Sequence, residues 1–176
     1  MSWRRTVIAF FFGAVGAGAI FFALLGVVGG ALSLGRWNPW LPFGVIAVAG
    51  ALDWAGVRAP GPRRQVNEDW LGRYRDWVIG LGFGSQLGLG FATIIPSFGT
   101  WAMYAIAMTA GMPLAPLLGA AFGLGRSLLL LSTRGIGSTS ALARVMQQFN
   151  GAEGKARRLA LAGYGLVLIT VGVNVA

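Results

Sequence analysis

The stretch Gly88-Leu89-Gly90-Phe91-Ala92-Thr93-Ile94-Ile95-Pro96-Ser97-Phe98-Gly99-Thr100 lies inside a 49-residue run, Trp77 to Gly125, that holds no charged side chain. A helix crosses the ~30 Å hydrocarbon core of a bilayer with about 20 residues at 1.5 Å each, so one straight span cannot use up this run. The chain must bend or break, and Pro96 and Gly99 mark the place. In lipid, an unwound backbone persists only where protein or a water-lined cavity satisfies its polar groups. The break is therefore the first candidate for a functional centre.

The composition agrees with a membrane setting. Of the 176 residues, 56% are hydrophobic, 11% are charged and 29 are glycine. Those proportions indicate a polytopic membrane protein rather than a soluble domain around one core. The net charge of +9 does not indicate nucleic acid, because the basic residues fall between apolar runs, as the positive-inside rule expects. The chain has no cysteine and no histidine. By itself it can form no disulfide, thiol redox couple, His-held haem, or Cys/His zinc site. No acid–base or nucleophile–base pair is visible either, so neither a cofactor nor an enzymatic activity is expected.

Outward from the break, the apolar runs are Thr6–Leu34, Leu41–Val57, Trp77–Ile95, Ser97–Gly111, Pro113–Ser132 and Leu159–Ala176. Arg4 and Arg5 before the first run resemble the start of a signal peptide. The run is too long for an h-region and reads as a retained signal anchor. Glycines along it predict either strong tilt or a break near Gly26–Gly30. Trp37 and Trp40 suit the interface between the first two runs. Arg4/Arg5, the loop 58–76 and the segment 133–158 are all net basic, so all three should lie in the cytoplasm. That requires an even number of crossings from Trp77 to Ser132: one broken helix, Trp77–Gly111, then one whole helix. The expectation is an all-α, multi-pass helix bundle in the inner or plasma membrane. It has about five crossings and a cytoplasmic N-terminus, with six crossings as the alternative. Within 133–158, Leu142, Val145, Met146 and Phe149 follow a helical stripe after Ser138-Thr139-Ser140, predicting an amphipathic surface helix.

A shift of 71 residues aligns the two halves. Trp3-Arg4-Arg5-Thr6-Val7-Ile8 falls over Tyr74-Arg75-Asp76-Trp77-Val78-Ile79, Phe12-Gly13 over Phe83-Gly84, Ala31 over Ala102 and Pro42 over Pro113. The reading is one membrane domain with repeat 1 at about 3–57 and repeat 2 at about 74–132. After these come the 133–158 loop and a last span at 159–176. Transporter folds are often repeats of this kind, with sites near the midplane; two unrelated glycine-rich helix pairs are the plain alternative.

Two charges lie deep in spans, Asp53 and Arg126, at similar heights under the repeat. Intramembrane charges usually pair, which predicts an ion pair between them that fixes the repeats together. Gating or substrate contact is the alternative role for the pair, and snorkelling toward the helix ends is the alternative to pairing. Gln86, Thr93, Pro96, Ser97, Gly99 and Thr100 surround the break and are the candidate solute-binding residues, through hydroxyls, amide and freed carbonyls. Gly82, Gly84, Gly88, Gly90, Gly119 and Gly123 suit close helix packing.

Gly88–Thr100, then Ala120-Ala121-Phe122-Gly123-Leu124-Gly125 and a leucine run, resemble the CcdA/DsbD transmembrane-domain family. That family breaks a glycine-rich helix at Pro-Cys-x-Gly-Pro and follows it with a Tyr-x-x-Gly-Leu-Gly-like segment. The resemblance covers roughly residues 77–132. It keeps Pro96 and Gly99, places Ser97 where the redox cysteine stands and Thr100 where the second proline stands. In the first half, Leu24-Leu25-Gly26-Val27-Val28 has neither proline nor cysteine. Electron transfer by thiol–disulfide exchange needs two cysteines, so the resemblance implies the scaffold without that activity. Two functions follow as expectations. One is binding or transport of a small solute at the break. The other is a non-catalytic subunit that assembles or anchors a membrane complex. Either way the partners are the bilayer and further membrane chains, as a homo-oligomer or other subunits.

Overall fold

In a computed structural model of the chain, the described residues are 3–34, 40–62, 73–93, 95, 97–128 and 161–165. Among them every regular element is helical: α1 (Trp3–Ala31), α2 (Leu41–Trp54), α3 (Asp76–Leu89), α4 (Gly99–Ala110) and α5 (Leu114–Leu128). Residues 161–165 add a short helical stretch. The expected amphipathic helix around 142–149 and the loop core 63–72 lie outside the described residues. So does most of the span 159–176.

α1 is the axis of the bundle, and its glycines explain why. α3 runs parallel to it: a methyl group on Gly80, Gly84 or Gly88 would collide with the carbonyl of Thr6, Phe10 or Ala14 respectively. α5 runs antiparallel, with Gly119 on the carbonyl of Gly18 and Gly123 on that of Ala14. These stripes recur every four residues and so hold one helix face, letting backbones meet directly. Of the glycines expected to pack, Gly84, Gly88, Gly119 and Gly123 do so; Gly13, Gly18 and Gly80 join them.

The first run is not broken at Gly26–Gly30, because α1 continues to Ala31. Gly26 and Gly29 are there for contact: a methyl on Gly26 would lie 2.7 Å from the Cβ of Ala115, and one on Gly29 would overlap the Met108 carbonyl. Glycine spares the neighbour here and leaves the helix intact. Among the described residues, one helix, Arg4–Ala31, is long and apolar enough to cross a membrane; α2 and α5 are apolar but shorter.

α2 starts over Pro42, whose missing N–H falls where a helix has no acceptor for it. It ends at Gly56 with φ 71°. Gly56 N donates to Asp53 O at 3.2 Å and Val57 N to Leu52 O at 3.0 Å. That pair of bonds is the glycine-dependent Schellman closure.

The second long run differs from its expected form. α3 stops at Leu89, six residues before Ile95, and α4 starts at Gly99, so the first half-helix ends earlier than expected. Gly90 takes φ 76°, a conformation open to glycine at little cost. Any Cβ there would meet the Tyr104 hydroxyl. α3 and α4 then lie end to end along α1. Gly80 is on Thr6, Gly88 on Ala14, and Met108 on Gly29, while Phe91 in the break stacks 5.0 Å from Phe21. The break therefore stands beside the middle of α1.

Just past it, Phe22, Tyr104, Ala107 and Ala115 form a buried cluster flanked by Phe21, Leu25, Met103, Leu118 and Phe122. Phe22 lies 5.6 Å from Tyr104 and 5.3 Å from Phe122 between ring centroids. Such aromatic pairs add about 0.5–1.5 kcal/mol each beyond area burial.

Candidate site at the helix break

Breaking a helix exposes carbonyls on one side and N–H groups on the other, with partial negative and positive charge respectively. At the α3 end, Leu89 O accepts the Tyr104 hydroxyl at 2.9 Å. Gly90 O accepts the Thr93 Oγ1 hydroxyl at 3.1 Å. Thr93 Oγ1 in turn accepts Arg126 Nη2 at 2.9 Å. The guanidinium of Arg126 also lies 5.5 Å from the centre of the Phe122 ring. A cation thus sits at the negative end of α3.

At the α4 end the signs reverse. Asp53 Oδ1 accepts the backbone N–H of Phe98 at 2.9 Å, and Ser97 Oγ accepts that of Gly99 at 3.2 Å. The second carboxylate oxygen of Asp53 accepts the Tyr164 hydroxyl at 2.7 Å. A carboxylate from another helix thus caps α4, and the stretch 161–165 is tied to the same point. The loop after α2 covers the break from outside. Trp101 Nε1 donates to Pro60 O at 2.9 Å, and Gly61 packs on buried Ile95.

The expected Asp53–Arg126 ion pair is therefore not formed. Asp53 is engaged by Phe98 and Tyr164, and Arg126 by Thr93 and Phe122. The reasoning from side-chain charges alone overlooked the backbone charges that the break itself creates. Asp53 meets the N–H end of α4 directly, and Arg126 reaches the carbonyl end of α3 through the Thr93 hydroxyl.

Beside the α4 end lies a cavity of about 410 Å³, lined by Ser97, Gly99, Thr100 and Tyr164 on one side. Ile46, Ala102, Met103, Ile106, Phe122 and Gly163 complete it. Of the candidate residues, Ser97, Gly99 and Thr100 line this cavity. Thr93 instead anchors Arg126. Gln86 is half-buried on α3, away from the cavity lining, and Pro96 lies outside the described residues. Sequence reasoning missed Tyr104 and Tyr164. The available signal was that a tyrosine within an apolar run must find a partner for its hydroxyl. Among the described residues no cluster of three or more His, Cys, Asp or Glu could hold a metal ion.

A separate groove of about 530 Å³ runs between α2 and α4, walled by Trp40, Val45, Val48, Leu52, Phe98 and Trp101 among others.

No protein-family model and no solved structure matches the chain. Among curated proteins it is similar to the methylamine utilization protein MauF of Paracoccus versutus, 31% identical over 135 residues. The match covers 73% of this chain but 49% of MauF, so the chain spans about half the length of that curated relative.

Proposed function

We propose that the chain is a multi-pass membrane protein with a cytoplasmic N-terminus that binds or passes a small solute at the break between α3 and α4. The observation that carries this reading is the 410 Å³ cavity at the break, with the hydroxyls of Ser97, Thr100 and Tyr164 on one side. Its volume lies within the roughly 300–1,000 Å³ of small-molecule sites. The depth of the break supports the reading too. Thr6 to Gly29 of α1 covers about 35 Å at 1.5 Å per residue, close to the ~30 Å hydrocarbon core. The α3–break–α4 path covers the same length and counts as one crossing. Two half-helices meeting near mid-depth is how secondary transporters build a solute site.

On this reading the protein is a non-enzymatic, cysteine-less relative of the CcdA/DsbD scaffold with about five crossings. Repeat 2 carries the broken helix and repeat 1 carries the unbroken α1. The similarity to MauF supports methylamine utilisation as a biological setting; the chemistry of the cavity bears on the solute itself.

The apolar groove between α2 and α4 favours a second reading, a non-catalytic subunit in which another membrane chain occupies that groove. The absence of native cysteine makes a clean test available. Ser97→Cys provides a unique thiol, probed in right-side-out and inverted vesicles with a membrane-impermeant thiol reagent. Modification from one side is expected. No modification from either side, with full labelling after denaturation, would leave Ser97 dry and favour the subunit.

A further inference from the structure

The cavity at the break carries two features that narrow its ligand, an inference that rests on the solute-site reading above. The first is Thr100. It is only 7% exposed, it lines the cavity, and among the described residues its hydroxyl makes no hydrogen bond. A hydroxyl that faces a cavity without a protein partner can donate to and accept from a ligand there. Its neighbours are committed: Ser97 Oγ accepts from Gly99 N, and the Tyr164 hydroxyl donates to Asp53.

The second feature is charge. Among the described residues no ionised side chain lines the cavity. The carboxylate of Asp53 is turned to Phe98 N and Tyr164. Arg126 is not among the lining residues: its Nη2 donates to Thr93, its guanidinium lies 5.5 Å from the centre of the Phe122 ring, and its buried Nη1 has no partner among the described residues. An ion entering here would leave water without a countercharge, which a low-dielectric site opposes. The remaining wall is Ile46, Met103, Ile106 and Phe122, suited to an apolar body.

We infer that the cavity takes a small uncharged amphiphile, its polar group hydrogen-bonded to the Thr100 hydroxyl and its apolar body against Ile46, Met103, Ile106 and Phe122. Alcohols, ketones and amides of modest size belong to this class. Alkylammonium ions and carboxylates do not.

The test uses the full chain reconstituted in vesicles, with Ser97→Cys as the unique thiol and N-ethylmaleimide as a neutral label. 1-Hexanol, hexylammonium and hexanoate are the competing probes. Arg58→Cys, on the exposed loop after α2, reports any effect on the bilayer or the reagent. Hexanol should slow labelling at position 97 saturably while leaving position 58 unchanged, and neither ion should do so. Adding Thr100→Val should raise the half-protecting hexanol concentration about three- to tenfold, the weight of one hydrogen bond. Met103→Cys, at the apolar wall, repeats the measurement should Ser97→Cys fold poorly. Protection by either ion equal to that by hexanol overturns the inference, as does hexanol protection indifferent to Thr100→Val. If both reporter thiols stay unlabelled under all conditions, the solute-site reading itself fails.

Discussion

α1 and the α3–α4 pair travel side by side over the same distance, one without interruption and the other broken at its middle. α1 runs unbroken from Trp3 to Ala31, while the second path consists of α3, the segment 90–98 and α4. Both are rich in glycine, so glycine alone does not decide which helix breaks. In α1 Gly13, Gly18 and Gly29 lie against neighbouring carbonyls, and the helical bonds continue through them. In the second path Gly90 takes a positive φ, and side chains from α2, α4, α5 and the 161–165 stretch meet the freed groups. A helix stays broken where its orphaned ends have partners. Asp53, Ser97, Tyr104 and Thr93 provide them here, and Arg126 holds Thr93 in turn.

The largest effect should come from the surface the two paths share. Gly84→Leu would drive a side chain into the Phe10 carbonyl, and thermal unfolding in detergent should show a loss of about 3 kcal/mol or no folded protein. Gly16→Ala on α1 is the counterpart. Among the described residues, no atom beyond the helix's own local backbone and the two chain neighbours lies within 4 Å of a Cβ there, so the same assay should show no loss and up to about 1 kcal/mol gained from helix propensity.

Next are the caps of the break. Asp53→Leu strips partners from both Phe98 N and the Tyr164 hydroxyl. A loss of about 2–3 kcal/mol is expected, with Asp53→Asn much milder because its side-chain oxygen can still accept. If Leu and Asn behave alike in the melt, Asp53 does not cap α4. Tyr104→Phe removes the bond to Leu89 O and should cost about 1 kcal/mol, read as a lowered melting temperature. A change of α1 at the same height, Val15→Ala, gives the packing baseline for that comparison.

Much of this organisation was legible in the residues. The charge-free run from Trp77 to Gly125 required an interruption, and Ser97, Gly99 and Thr100 were singled out and do line a cavity. The glycine stripes at 84/88 and 119/123 announced close packing. The ends of the interruption were not legible. Pro96 drew attention as the breaker, yet α3 already ends at Leu89, because Gly90 and a tyrosine fourteen residues farther along set its terminus. Tyr164 lies far along the chain from Asp53, and no local pattern relates them. The partner of Asp53 was misjudged for a physical reason. A sequence displays charged side chains but not the partial charges of helix ends, and the fold created two such ends where Asp53 and Arg126 lie.

Asp53 and Arg126 serve opposite ends of one break and not each other. A double-mutant cycle with Asp53→Asn and Arg126→Gln, measured by unfolding in detergent, tests it most directly. Independent sites add to within about 0.5 kcal/mol, and additivity of that quality is expected, with no rescue when the two charges are exchanged. A coupling well above that limit, or recovery of stability in the charge-swapped protein, would contradict it.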